Sequence, residues 1–259
     1  MRIDLHNHTK RCNHAEGSLE DYIDKAISEE IDIFGFSDHA PMDFDLKYRM
    51  SFSEMEAYES EVKRAFEKYK GQIDIRLAYE VDYLPGHIDE RVLQADVDYL
   101  IGSVHFIDRW GFDNPEFIGK YKGADIDAIW QDYFDLVERM AKEGKFDIVG
   151  HLDLIKVFKY IPKRDVRLIA KDAMDAIKRS GMSIEINAAG YRKPIGEPYP
   201  SRDLLIMAYE RGIPITFGSD AHKPEQVGFK KDEIAKFAKS VGYTEAVHYI
   251  KRERVSVRF

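Results

Sequence analysis

Seven short apolar runs recur along this chain, amphipathic stretches separate most of them, and six of the seven close on a histidine, an aspartate or a glutamate. The runs are Ile3–His6, Ile33–Phe36, Ile73–Val81, Val97–Val104, Asp147–Gly150, Ser183–Ile186 and Pro214–Phe217. Each is too short for a buried helix, so each reads as a strand. Helical patterns lie between them. The first, Ser18–Glu30, puts Leu19, Ile23, Ala26 and Ile27 on one face. The second opens with Ser53 and Glu56, a capping-box spacing, and runs to about Lys70. Asp125–Lys142, Val166–Ser180, Ser201–Arg211 and Lys231–Val241 follow, and the Gly-, Asp- and aromatic-rich Phe106–Lys122 predicts an inserted loop or hairpin. Alternating strands and helices imply a parallel sheet. Seven such units in 259 residues, with no linker, predict one α/β domain over residues 1–259, folded as a closed or nearly closed barrel.

Composition narrows the function classes. A net charge of -8, with both signs mixed along the chain, argues against a broad nucleic-acid surface. The single cysteine, Cys12, rules out an internal disulfide framework and reads as a small buried thiol. No run approaches the roughly 20 apolar residues of a membrane span. The expected setting is cytoplasmic, with no membrane partner.

Barrel topology turns scattered motifs into one hypothesis. His6 and His8 follow the first strand, Asp38 and His39 the second; Glu80 lies late in the third. His105 and His151 end the fourth and fifth, and Asp220 and His222 follow the seventh. The carboxyl ends of parallel barrel strands open on one face, so these residues converge there. Taken singly, each has a plainer role. His-X-His can satisfy backbone groups, Ser-Asp-His can cap a helix, and Glu80 can pair with a nearby base. Together, seven of the nine histidines, His14 included, fall at element ends, and such a gathering needs a cation to offset its buried acids. His87 and His248 fall outside the pattern and read as surface residues.

His6-X-His8, His14-Ala15, Ser37-Asp38-His39, Glu80, His105, His151 and Asp220-X-His222 resemble the polymerase and histidinol phosphatase (PHP) superfamily over nearly the whole chain. The stretch Thr9–Gly17, Gly150-His151-Leu152-Asp153, and Asn187–Arg192 leading to Tyr199-Pro200-Ser201 resemble its stand-alone histidinol-phosphate phosphatases. The resemblance implies a distorted (β/α)7 TIM-like barrel with three divalent metals, zinc, iron or manganese, at the carboxyl ends of the strands. By the same resemblance, His6, His8, Glu80 and Asp220 hold one ion. Glu80 bridges to a second with His105 and His151, and His14, His39 and His222 hold a third.

The expected reaction is hydrolysis of L-histidinol phosphate to L-histidinol and phosphate, in histidine biosynthesis. A metal-bridging hydroxide is the expected nucleophile, with no phosphoenzyme. The alternatives are a metal-dependent nuclease or phosphodiesterase, a phosphatase for another small monoester, and a barrel that binds metal without catalysis. Glu80 and Asp220 are the acids expected to be essential, and Asp38 is the candidate for orienting a ligand or passing a proton. Arg192 and Lys156 are the candidate phosphate contacts; Asp153, Tyr191 and Glu197 are the candidates for the amine and imidazole. The metal identity, the oligomeric state and the breadth of the substrate range are not legible at this level.

Overall fold

The computed structural model describes residues 1–259. Seven parallel strands are hydrogen-bonded in sequence order: β1 (Ile3–Asp4), β2 (Ile33–His39), β3 (Asp74–Asp82), β4 (Tyr99–Ser103), β7 (Ile148–Val149), β8 (Ser183–Asn187) and β9 (Ile215–Gly218). Between β4 and β7 the insert Phe106–Lys122 is a small hairpin, β5 (Phe106–Ile107) and β6 (Trp110–Gly111), followed by a 3-10 turn at Pro115–Tyr121. The ends of the sheet meet. Leu5 N donates to Phe217 O at 2.9 Å, Asp220 N to His6 O at 2.8 Å and His8 N to Ala221 O at 2.9 Å, and this seam nearly closes the barrel. It also places the residues after β1 beside those after β9.

Helices α1 (Leu19–Ser28), α2 (Met55–Lys68), α3 (Glu90–Leu93), α4 (Ile126–Glu143), α5 (Val166–Ile169), α6 (Lys171–Ser180), α7 (Arg202–Glu210) and α8 (Lys231–Val241) surround the sheet. One continuous cluster of 71 buried hydrophobic residues, from Ile3 to Tyr249, joins both layers. The helix starts follow from side-chain capping. Ser18 and Asp21 exchange hydrogen bonds at the head of α1. Ahead of α2 the capping box is Ser51 with Glu54, not Ser53 with Glu56. The run Ser51–Glu56 contains both spacings; the earlier pair wins because a 3-10 turn at Phe52–Glu54 packs Phe52 against the core before the helix begins. The predicted Val166–Ser180 helix is two, broken at Ala170.

The terminal segment is an antiparallel hairpin, β10 (Glu245–Ile250) with β11 (Glu253–Arg258). It seals the end of the barrel opposite the histidines. Tyr249 Oη lies 2.9 Å from both Ser183 Oγ and Asp147 O, and Lys251 N donates to Asp98 Oδ1 at 3.1 Å, all where strands enter the sheet. His248 is therefore not a surface residue: it sits on β10 at 5% exposure, among Ala246, Val247 and Tyr249 of the core. His87 is partly exposed and lies 2.6 Å from Asp43. No helix is long and apolar enough to cross a membrane.

Candidate metal centre

Strand ends position every residue of the centre except His14, which follows the 3-10 turn Lys10–Cys12. His6 and His8 follow β1, His39 ends β2, and Glu80 is in β3 opposite His39 in register. His105 and His151 each lie two residues beyond a strand, and Asp220 and His222 just beyond β9. Glu80 is at the middle, 1% exposed. Its oxygens lie 2.8 Å from His151 Nε2, 3.1 Å from His39 Nδ1, 3.4 Å from His6 Nε2, 3.6 Å from His8 Nε2 and 3.8 Å from His105 Nε2. Asp220 Oδ1 lies 3.2 Å from His8 Nε2. Burial pushes the Glu80 carboxyl up, but the imidazoles of His6 and His39 outweigh it and hold it well below the usual carboxylate range. Burial, reinforced by the neighbouring His8, lowers the basicity of His222, and burial does the same for His39, so both favour the neutral form that can donate a lone pair.

The outward nitrogens are tied down. His6 Nδ1 donates to Glu185 Oε1 at 2.8 Å, His14 Nδ1 to Cys12 O at 2.8 Å, His222 Nδ1 to Asp220 O at 3.2 Å, and His105 Nδ1 to Asp82. Each bond fixes a tautomer and turns Nε2 toward the centre. Facing Glu80, His6 Nε2, His8 Nε2 and His39 Nδ1 are buried without a hydrogen bond. Unpaired imidazole lone pairs around two acids are a donor set for borderline divalent ions. Three groups have ligand atoms within 4.8 Å of one another: His6, His8 and Glu80; Glu80, His105 and His151; and His14, His39 and His222. A fourth, His8, Cys12 and His222, brings in the buried thiol. The residues present fit divalent metal.

A cavity of about 510 Å³ opens over this cluster. Of the residues expected to touch substrate, Arg192 alone lines it. Its Nη2 donates to Ser219 O and Asp220 O, both at 2.8 Å, which seats the guanidinium beside the centre. Lys156 lies elsewhere. It is 1% exposed, and its ammonium is 2.8 Å from Glu197, 2.8 Å from Pro198 O and 3.2 Å from Asp153, outside the cavity wall. It pins the loop after β8 that carries Arg192, rather than reaching phosphate. Asp153 and Glu197 are spent on the same ammonium, and Tyr191 lies outside the wall. Asp38 also lies outside the wall. It is fully buried behind His8, with Oδ1 3.4 Å from Nδ1, accepts from Thr9 and from the His39 amide, and does not reach the cavity. Its geometry suits orienting His8.

Several contributors had escaped the sequence reading. Glu185 accepts from His6 and, at 2.8 Å, from the His151 amide. Its signal was an acid inside an apolar strand that carries no histidine. Asp82, two residues after Glu80 and so on the same strand face, binds His105 and, at 2.6 Å, Arg49. Arg49, Asp113 and Lys193 come from segments without periodicity and also line the cavity.

Two expected results arise here. A methyl group at Gly218 would collide with Glu185 Oε1 and the His6 side chain. Gly218→Ala is therefore expected to slow the enzyme about 10- to 100-fold by disturbing the His6–Glu185 pair, measured as turnover with metal content. The second concerns pH. Burial raises the Asp153 carboxyl to about 6 from its ordinary 3.8, against the pull of Lys156 and the Ser201 amide. Between those values the unfolded chain has released a proton that the folded chain retains, so this group's contribution to stability falls as pH rises and levels off above about 6. Wild type should lose on the order of 1–2 kcal/mol relative to Asp153→Asn between about pH 4.5 and pH 7 in urea unfolding; a constant difference would contradict it.

Comparison with known proteins places this geometry. Residues 4–189 match the PHP domain family and residues 205–239 the PHP-associated family. The chain is 41% identical over 244 residues to the "Probable histidinol-phosphatase" of Deinococcus radiodurans, covering 92% of this chain and 93% of that protein. It is 30% identical over 258 residues to the histidinol-phosphatase of Bacillus subtilis, covering 88% and 96%. The crystal structure of histidinol phosphate phosphatase from Lactococcus lactis, complexed with zinc, L-histidinol and phosphate, superposes with a TM-score of 0.81 at 20% identity, over 98% of each chain, and shows the same fold. The chain belongs to the PHP family and is of its histidinol-phosphatase type.

Proposed function

We propose that this protein is a metal-dependent phosphomonoesterase that hydrolyses L-histidinol phosphate to L-histidinol and inorganic phosphate, a step of histidine biosynthesis. The observation that carries the reading is the convergence of seven imidazoles with Glu80 and Asp220 at one end of the barrel, five of the imidazoles and both acids lining one cavity and His6 and His8 lying buried beneath it. Its relatives named for this activity span nearly the whole chain.

Three ions would be held: one by His6, His8 and Glu80, with Asp220 joining beside His8, one by Glu80, His105 and His151, and one by His14, His39 and His222. Bound there, divalent metal supplies positive charge to the phosphoryl oxygens and acidifies water. The protein does the rest. Glu185, Asp82 and Asp38 hold His6, His105 and His8 in their poses, so the donors need little reorganisation. Arg192, at the cavity wall, presents a fixed cation to the phosphate. Water adds to phosphorus as the ester oxygen leaves and takes a proton, giving alcohol and phosphate.

The test is phosphate release from a panel containing L-histidinol phosphate, p-nitrophenyl phosphate and an oligonucleotide. The highest kcat/KM is expected on L-histidinol phosphate; turnover of the others without it would overturn the reading.

A further inference from the structure

The cavity carries one acid that the metal centre does not use. Five carboxylates line it: Asp45, Glu80, Asp82, Asp113 and Asp220. Glu80 and Asp220 lie among the imidazoles. Asp82 is bound by Arg49 and His105, and Asp45 lies 3.5 Å from Arg49. Asp113 alone has no hydrogen bond or ion pair with a side chain of the protein; it is partly buried, and the nearest bases, His105, Lys193 and His151, stay beyond ion-pair distance. A partly desolvated carboxylate left without a partner is costly, and a cationic ligand group would offset that cost.

Bases and this acid reach the cavity from different segments. Arg192 and Lys193 come from the loop after β8, whereas Asp113 comes from the insert between β6 and α4. Four residues on, in the same insert, Phe117 also lines the cavity and is 46% exposed, an apolar ring with nothing covering it. A ligand with a phosphate at one end and a cationic, ring-bearing group at the other matches this arrangement. Bases take the first, and an acid beside an aromatic face takes the second.

We infer that Asp113 is the specificity-determining carboxylate of this enzyme, pairing with the ammonium of the alcohol half of the substrate while Phe117 covers its ring. The inference rests on the proposed histidinol-phosphatase reading and assigns the amine to a residue outside the metal centre.

The experiment measures kcat/KM of wild type, Asp113→Asn and Asp113→Glu on L-histidinol phosphate and on p-nitrophenyl phosphate, whose alcohol half carries no cation, together with inhibition of p-nitrophenyl phosphate hydrolysis by L-histidinol. In Asp113→Asn the preference for L-histidinol phosphate should fall about 10- to 100-fold, and L-histidinol should inhibit more weakly by a similar factor. Asp113→Glu should restore part of both. Equal losses on the two substrates, or an unchanged preference and unchanged inhibition, would overturn the role of Asp113 while leaving the reaction assigned. Wild-type protein that hydrolyses p-nitrophenyl phosphate but not L-histidinol phosphate would overturn the reaction, and the assignment with it.

Discussion

Glu80→Gln is expected to lower phosphomonoester turnover by on the order of 10³-fold, equivalent to several kcal/mol of lost electrostatic stabilisation. The side chain is nearly isosteric, so packing is preserved and the charge alone changes. Glu80 stands within 4 Å of five imidazoles, at the one point common to two of the three ligand groups. An amide there would offer one neutral oxygen where a carboxylate offers two charged ones. Bound metal, measured by elemental analysis, should fall together with kcat. Activity retained at full metal content would mean that Glu80 is only a structural acid.

The second large effect is on stability. Asp82 is 3% exposed and Arg49 is 3% exposed, and they meet at 2.6 Å. Burial alone would raise the Asp82 carboxyl, yet Arg49 and then His105 hold it below the ordinary carboxylate range. Asp82→Ala leaves a buried guanidinium with carbonyl partners and only the more distant, partly exposed Asp45, 3.5 Å away, as counter-charge, which is expected to cost about 3 kcal/mol. It also frees Nδ1 of His105, with a further 10- to 100-fold loss of activity expected from that disordered donor. Chemical denaturation measures the first effect. Adding Arg49→Met to Asp82→Ala should recover part of the lost stability but none of the activity, because the charge is removed while His105 stays unsupported. Recovery of both would show that the chain from Arg49 through Asp82 to His105 has no bearing on the centre.

How much was legible depended on whether a residue's position followed from a period. Glu80, His105 and His151 could be placed together because strands in a parallel barrel all end on one face, and the β-α alternation is strong in this chain. The same logic fails inside a strand. Glu185 was passed over because an isolated acid offers no pattern, although an acid in a strand buried at all five positions needs a partner. Loops carry no period at all. Lys156 and Arg192 looked alike as basic residues after a strand, but a 3-10 turn at Leu154–Lys156 points Lys156 inward to Asp153 and Glu197. Asp113 and Arg49 lie in segments whose direction only tertiary contacts decide. His248 was misplaced for a different reason. A short terminal segment suggested solvent, whereas the hairpin it belongs to plugs the far end of the barrel and both faces of β10 are buried from Ala246 to Tyr249.

The most direct test is steady-state turnover of L-histidinol phosphate as a function of divalent metal bound per chain, using protein stripped by chelation, shown to remain folded, and refilled with zinc, manganese or iron. The buried imidazole–carboxylate cluster predicts negligible turnover after stripping and a rate that climbs with metal content for at least one of these ions. A fully metal-free, folded protein that turns over at the untreated rate would contradict it.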